Sequence, residues 1–166
     1  MHKLIIAILI SSVILAGCSF DMTQTTNKAK EYTIQLYQLV DTGTTFKWEP
    51  EKVVTATTLS GAVKKFINSM QNQKLLPPGD LIISVKLENN RLVLNFSDKI
   101  MQNPGAGAEI EQQVLCAFAK LAKMVGAKTV EILINGQKPT EENGYADFWG
   151  HIGLYENIFD DSICGK

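Results

Sequence analysis

The stretch "LIISVKLENNRLVLNF", residues 81–96, constrains this chain more than any other. Leu81, Ile83, Val85 and Leu87 alternate with other residues, and so do Leu92, Leu94 and Phe96. Side chains on a strand point to opposite faces in turn, so each half reads as a strand with one buried face. Asn89-Asn90 fits the tip as a two-residue loop, because Asn tolerates positive φ. That placement sets Glu88 opposite Arg91, Leu87 opposite Leu92, Val85 opposite Leu94 and Ile83 opposite Phe96. Every apolar pair then shares one face and an opposite-charge pair closes the tip. A slip of one residue would turn the apolar set to the wrong side. Ser84, Lys86, Val93 and Asn95 fall on the other face, which is mostly polar. The prediction is an antiparallel hairpin covered on one side only.

The rest of the chain supplies the cover. Tyr32, Ile34 and Leu36 alternate as a half-buried strand, and Gly43 and Pro50 mark turns after it. Thr57 and Thr58 offer an N-cap. Leu59, Ala62, Val63, Phe66, Ile67 and Met70 then recur at helical spacing, with Lys64, Lys65 and Asn68 on the far side. Pro77 and Pro78 close that connection. A second helical stripe runs through Ile110, Val114, Leu115, Phe118, Leu121, Ala122 and Val125, with Gly126 as its C′ residue. Val130, Ile132 and Ile134 form a fourth strand that stops at Asn135-Gly136. The order is strand, helix, strand, strand, helix, strand. One-faced strands and two amphipathic helices predict an α+β two-layer sandwich, a mainly antiparallel sheet with two helices on one face.

The N-terminus speaks to location. Met1-His2-Lys3 gives a short basic start, and residues 4–14 are apolar apart from Ser11 and Ser12. That run is signal-peptide length and short of the ~20 residues of a spanning helix. It ends in Leu15-Ala16-Gly17-Cys18, which resembles the lipobox of bacterial lipoproteins. The resemblance implies cleavage before Cys18 and acylation, palmitate included, of its thiol. At about 0.8 kcal/mol per buried methylene, two or three acyl chains hold a protein durably on a bilayer. The expected location is therefore the extracytoplasmic face of the cell membrane. The expected organisation is a signal peptide over 1–17, a lipidated tether over 18–30, one domain over 31–158 and a C-terminal tail over 159–166.

Removing residues 1–17, which contain Lys3 and no acidic residue, leaves 149 residues with 15 basic and 17 acidic, a net charge of −2. That length fits one domain. With no basic patch, nucleic acid is not an expected partner. The only histidine left is His151, so no zinc site and no other cofactor is expected. Residues 105–109, "GAGAE", lack a third glycine and a Gly-Lys-Ser/Thr. They read as a helix-starting turn rather than a phosphate loop. Nothing places Asp98 and Glu109 together as paired carboxylates.

Three pieces in order, "LPPGDLIISVKLENNRLVLNFSD" (75–98), "GAKTVEILINGQKP" (126–139) and "WGHIGLYENI" (149–158), resemble the GerMN domain of sporulation and spore-germination lipoproteins. "EPEKVV" (49–54) fits more loosely. Coverage runs roughly from Glu31 to Ile158. The resemblance implies an envelope lipoprotein of a Gram-positive, in some cases spore-forming, bacterium, with a binding or assembly role rather than a reaction. It supplies no agreed functional residues, and the tail "FDDSICGK" falls outside it.

Two places carry candidate sites. In "NGYADFWGHIGLY", Tyr145, Asp147, Trp149, His151 and Tyr155 offer a lip for peptidoglycan or a small ligand. The simpler reading is a half-buried His151 that holds the C-terminal segment onto the sheet. No partner nucleophile or second acid–base group stands beside it, so no enzyme activity is expected. The alternative role is docking of another envelope protein through the polar hairpin face or a free sheet edge. Cys116 and Cys164 form the second place. At about 100° per residue Cys116 falls beside Lys120 and Lys123, away from the apolar stripe. Either the tail crosses the helix and Cys164 bonds to Cys116, or both are unpaired thiols.

Overall fold

A computed structural model of the chain describes residues 30–102, 107–145 and 157–164. Residues 1–29, with Cys18, and the candidates Asp147, Trp149, His151 and Tyr155 lie outside the described residues. Among the described residues the order is β1 (Tyr32–Asp41), β2 (Phe46–Ala56), α1 (Leu59–Asn72), β3 (Ile82–Glu88), β4 (Arg91–Phe96), α2 (Ala108–Met124), β5 (Thr129–Ile134) and β6 (Ile158–Phe159). The fold is α+β, with β1–β2 in one sheet and β3-β4-β5-β6 in another. The expected order of strands and helices is present, and β2 and β6 are added to it. Among the described strands only the β4–β5 pair is parallel. Parallel neighbours need a crossover, and α2 provides it.

The β3–β4 hairpin pairs Glu88 with Arg91, Leu87 with Leu92 and Val85 with Leu94. Asn89 and Asn90 both take positive φ, at 50° and 62°, as a tight two-residue turn of this hand requires. The expectation fails at one pair. Ile82, not Ile83, stands opposite Phe96, because the register shifts between Ile82 and Ser84. Ile83 is the extra residue of a bulge and is 54 % exposed.

Residues 46–56 correct a second expectation. They form β2, where Pro50 had marked a turn. Pro50 pairs with Tyr37 just beyond a register shift, so Glu51 is bulged. β2 is an edge strand, where a missing N–H is tolerated. A two-stranded ribbon is marginal alone. It is held by burying Ile34 and Leu36 of β1 in the common core and by Gln73. The Gln73 Oε1 accepts from Leu39 N at 2.8 Å and its Nε2 donates to Tyr37 O at 2.8 Å.

Thr58 caps α1, accepting from Gly61 N at 3.0 Å, and the buried stripe is Ala62, Val63, Phe66, Ile67 and Met70. Both helices end in the same paired motif. In α2, Ala127 N donates to Ala122 O and Gly126 N to Lys123 O, with Gly126 at φ +88°. In α1, Leu75 N donates to Met70 O and Lys74 N to Gln71 O, with Lys74 at φ 59°. Lysine carries the left-handed strain that glycine avoids there.

The second helix is buried on more than one side. Val114, Phe118, Leu121 and Ala122 face the sheet core, and Phe118 meets Phe96 with ring centroids 5.7 Å apart. Cys116, expected on the solvent side, is 2 % exposed. The reason is the C-terminal segment, which crosses the helix. Cys116 and Cys164 are joined by a disulfide with Cα atoms 4.7 Å apart. Gln112 Nε2 donates to Ile163 O at 3.0 Å, and Lys123 pairs with Asp161. Residues 159–164 are thus packed on the domain, with Phe159 in its core.

Val85→Asp puts a charge against buried Leu94 and should cost several kcal/mol, enough to unfold a domain of ordinary stability. Lys86→Ala, on the other face, should shift stability by no more than about 0.5 kcal/mol. Urea unfolding of both variants checks this, and equal losses would refute a sheet covered on one face. Lys74→Gly should stabilise by about 0.5–1 kcal/mol by relieving the left-handed backbone, read as a raised urea midpoint at constant slope.

Candidate functional site

The alternation that drives Leu92, Leu94 and Phe96 inward on β4, and Val130, Ile132 and Ile134 inward on β5, turns their neighbours outward. Register then fixes a grid on the outer face. One row is Glu88, Arg91 and Thr129; the next is Lys86, Val93, Glu131 and Ile158; the third is Ser84, Asn95 and Leu133. Val93, Leu133 and Ile158 are the half-buried apolar members of this face. Glu131 stands between Val93 and Ile158, and Lys86, Glu88 and Arg91 stand to one side of them.

The charges of this face are internally paired. Arg91 Nη1 donates to Glu131 Oε2 at 2.8 Å, with the side chains 38 % and 14 % exposed. Asn157 Nδ2 donates to Glu131 Oε1 at 3.3 Å and to Ile132 O at 3.1 Å. Lys86 Nζ lies 3.5 Å from Glu88 Oε1. At the far end Gly136 N donates to Asn95 Oδ1 at 2.8 Å. There Asn135 and Gly136 turn the chain with φ of 51° and 77°.

Tyr145 is the one lip candidate among the described residues. Its hydroxyl accepts from Asn135 Nδ2 at 3.0 Å, and its N–H reaches Thr140 O at 3.2 Å. Tyr145 therefore sits at the C-terminal end of β5, while Asn157 sits beside Glu131 and Ile132 in its middle. Both flanks of the 146–156 segment are tied to the same strand. Sequence reasoning missed Arg91–Glu131, Asn157 and Gln73. Glu131 was legible as an outward residue, between Val130 and Ile132. Its partner was not, because pairing with Arg91 needs β4 and β5 to be neighbours.

A concavity of about 520 Å³ lies between α1 and the β1–β2 ribbon. Leu36 and Val54 are among its apolar lining, and Gln38, Asn68, Asn72 and Lys65 among its polar lining. Lys65 Nζ already donates to Thr55 O at 2.7 Å.

Among the described residues no three His, Cys, Asp or Glu side chains are placed to hold a metal. Two titrations move. Burial lowers the Lys120 pKa, with its ammonium 5.1 Å from the Tyr37 ring centre. Hydrogen bonds from Ser162, side chain first and then backbone, lower that of Asp160. Neither group lines the concavity beside α1.

A family model described as Germane, sporulation and spore germination, matches residues 35–140. No curated protein matches the chain. Among solved structures, a 2.5 Å crystal structure of a protein described as a lipoprotein from Clostridium perfringens is 13 % identical. The match covers 64 % of this chain and 76 % of that one, with a TM-score of 0.32, too low for its shape to bear on the fold.

A double-mutant cycle of Arg91→Met and Glu131→Gln should return a coupling of about 1 kcal/mol, near the top of the range for partly exposed pairs. Additive losses in urea unfolding would show that the pair is ornamental.

Proposed function

The chain belongs to the Germane family of sporulation and spore germination, and from that premise we propose that it is a lipid-anchored, extracytoplasmic assembly factor without catalytic activity. Its anchor is acylated Cys18 in the bilayer. Its working surface is the outer face of the β3–β6 sheet, which docks another envelope protein. The observation that carries this reading is the grid itself: half-buried Val93, Leu133 and Ile158 interleaved with the paired charges Arg91–Glu131 and Lys86–Glu88. Protein interfaces likewise combine apolar side chains with paired polar ones. The disulfide supports an oxidising compartment, since such bonds persist mainly outside the cytosol.

A second reading is a module that binds peptidoglycan or a small ligand. The polar groove beside α1 favours it, with the carboxamides of Gln38, Asn68 and Asn72 suited to hydroxyl and acetamido groups. The Tyr145–Tyr155 stretch, carrying Asp147, Trp149 and His151, is the other place for such a ligand.

Two experiments test these readings. Cys18→Ala should move the protein from the membrane fraction to the soluble or precursor pool; an unchanged membrane-bound product without acyl label would end the anchor. Val93→Arg, set between Lys86 and Glu131, should leave the urea midpoint nearly unchanged. It should abolish co-purification of an envelope partner from the native host and lower sporulation or germination. Normal partner recovery in that variant, with retention of the wild-type protein on purified sacculi, would favour the second reading.

A further inference from the structure

We propose that the cleft between α1 and the β1–β2 ribbon binds a neutral, N-acetylated sugar chain of the kind that forms the glycan strands of peptidoglycan. The inference rests on the second reading, a ligand-binding module, and names its ligand; it takes nothing from the docking face.

The cleft owes its shape to a bulge and to a helix end. Leu36 and Gln38 of β1 line one wall, and Val54 and Lys52 of β2 continue it. Strict alternation would send Glu51 to the far face of the ribbon. The register shift leaves Glu51 unpaired and lets it line the cleft beside Lys52. On the helix side Asn68 and Asn72 stand four residues apart, on one face of α1. Gln73, the C-cap residue of α1, closes the end. Its carboxamide is engaged with Leu39 N and Tyr37 O and fixes the ribbon against the helix. A cleft of about 520 Å³ held in this way is preformed and of ligand-pocket size.

Its chemistry selects for a neutral ligand. Leu36, 4 % exposed, gives the cleft an apolar floor together with Val54. The charges are already engaged: Lys65 Nζ donates to Thr55 O at 2.7 Å, and Lys52 Nζ lies 3.1 Å from Glu51 Oε1. None is left unmatched to select an ionised group, and a ligand ammonium would face two lysines. The groups left over are neutral. Among the described residues the carboxamides of Gln38, Asn68 and Asn72 have no hydrogen-bond partner. Each can donate and accept at once. An acetamido group returns that pair with its own N–H and C=O, and its methyl suits the apolar floor. Sugar hydroxyls also donate and accept. A peptide carrying free ammonium or carboxylate groups finds no such counterpart.

The test uses the full acylated chain in a detergent without a sugar headgroup, with tri-N-acetylchitotriose as probe. In nitrogen–proton correlation spectra the probe should shift the side-chain amides of Gln38, Asn68 and Asn72 and leave that of Asn95, on the outer sheet face, in place. Asn68→Ala combined with Asn72→Ala should weaken binding on the order of tenfold, the loss of two neutral hydrogen bonds. The urea midpoint should hold or rise, because alanine is the better helix former on an exposed face. Unchanged affinity in that variant, or shifts at Asn95 instead, would overturn the site. Cellotriose, with hydroxyls where the probe carries acetamido groups, should shift none of the three; equal shifts would overturn the ligand class. Purified sacculi separate the sources of the sugar. Retention that the double variant loses supports peptidoglycan, and trimer shifts without retention support a soluble glycan of the same chemistry. Retention without trimer shifts overturns this inference and leaves the second reading standing on another part of the wall. Neither shifts nor retention ends both, and the docking reading is untouched.

Discussion

Strand β4 is the member on which the rest depends. Leu92, Leu94 and Phe96 are fully buried, and the strand is hydrogen-bonded on both sides, antiparallel to β3 and parallel to β5. The parallel side forces a crossover, and the crossover is α2. Phe118 of α2 returns onto Phe96, so the helix that the topology requires also seals the strand's inner face. Once both helices lie on that side, nothing from either covers the other. The outer grid is thus a consequence of the core and not a separate design.

Three strand edges are closed by different chemistries. Among the described residues the outer edge of β1 meets no strand; the Gln73 carboxamide answers Leu39 N and Tyr37 O, and the Met124 sulfur accepts from Gln35 N at 3.1 Å. β5 is covered by two residues of β6 and a covalent bond behind them. β3 relies on a bulge at Ile83 and on Lys86 and Glu88, the bends and charges that discourage edge pairing. The ribbon is therefore tied to α1 through its helix end, where Gln73 lies next to Lys74 and the motif that stops the helix. Stability of β1–β2 and correct termination of α1 are coupled.

What the sequence disclosed follows the range of the interaction. Asn89-Asn90 announces its turn because φ is a local property, and the Leu59–Met70 stripe announces α1 because helical neighbours are three or four residues apart. The bulge at Ile83 was illegible: Leu81, Ile83 and Val85 alternate faultlessly, and only Ser97 N donating to Leu81 O and the Ile82–Phe96 pairing reveal the shift. β2 was hidden by Pro50 and by charges on a strand that is mostly exposed, so no apolar period marked it. Cys116 was placed on its helix away from the apolar stripe, with a crossing tail as one of two alternatives; the residue that decides between them lies 48 residues away. The candidate surface shared that fate. Its residues were legible as outward, but the parallel neighbour that completes it was not.

The charges on the outer face are already matched within the chain, Arg91 to Glu131 and Lys86 to Glu88. A surface of this kind exerts little long-range pull, so electrostatic steering contributes little to encounter with a partner. In the proposed docking role, recognition would come from the shape of the half-buried apolar side chains and from the fixed positions of Asn95, Glu131 and Asn157 among them. Such a face is slow to find a partner in dilute solution and loses little by desolvating charges that are paired beforehand. Confinement to a membrane surface changes the balance. Two proteins anchored in one bilayer meet at a high effective concentration, and selection by shape then suffices. In the proposed role, a neutral, preorganised face and a lipid anchor are complementary solutions to one problem: the anchor would supply encounter, and the sheet would supply fit.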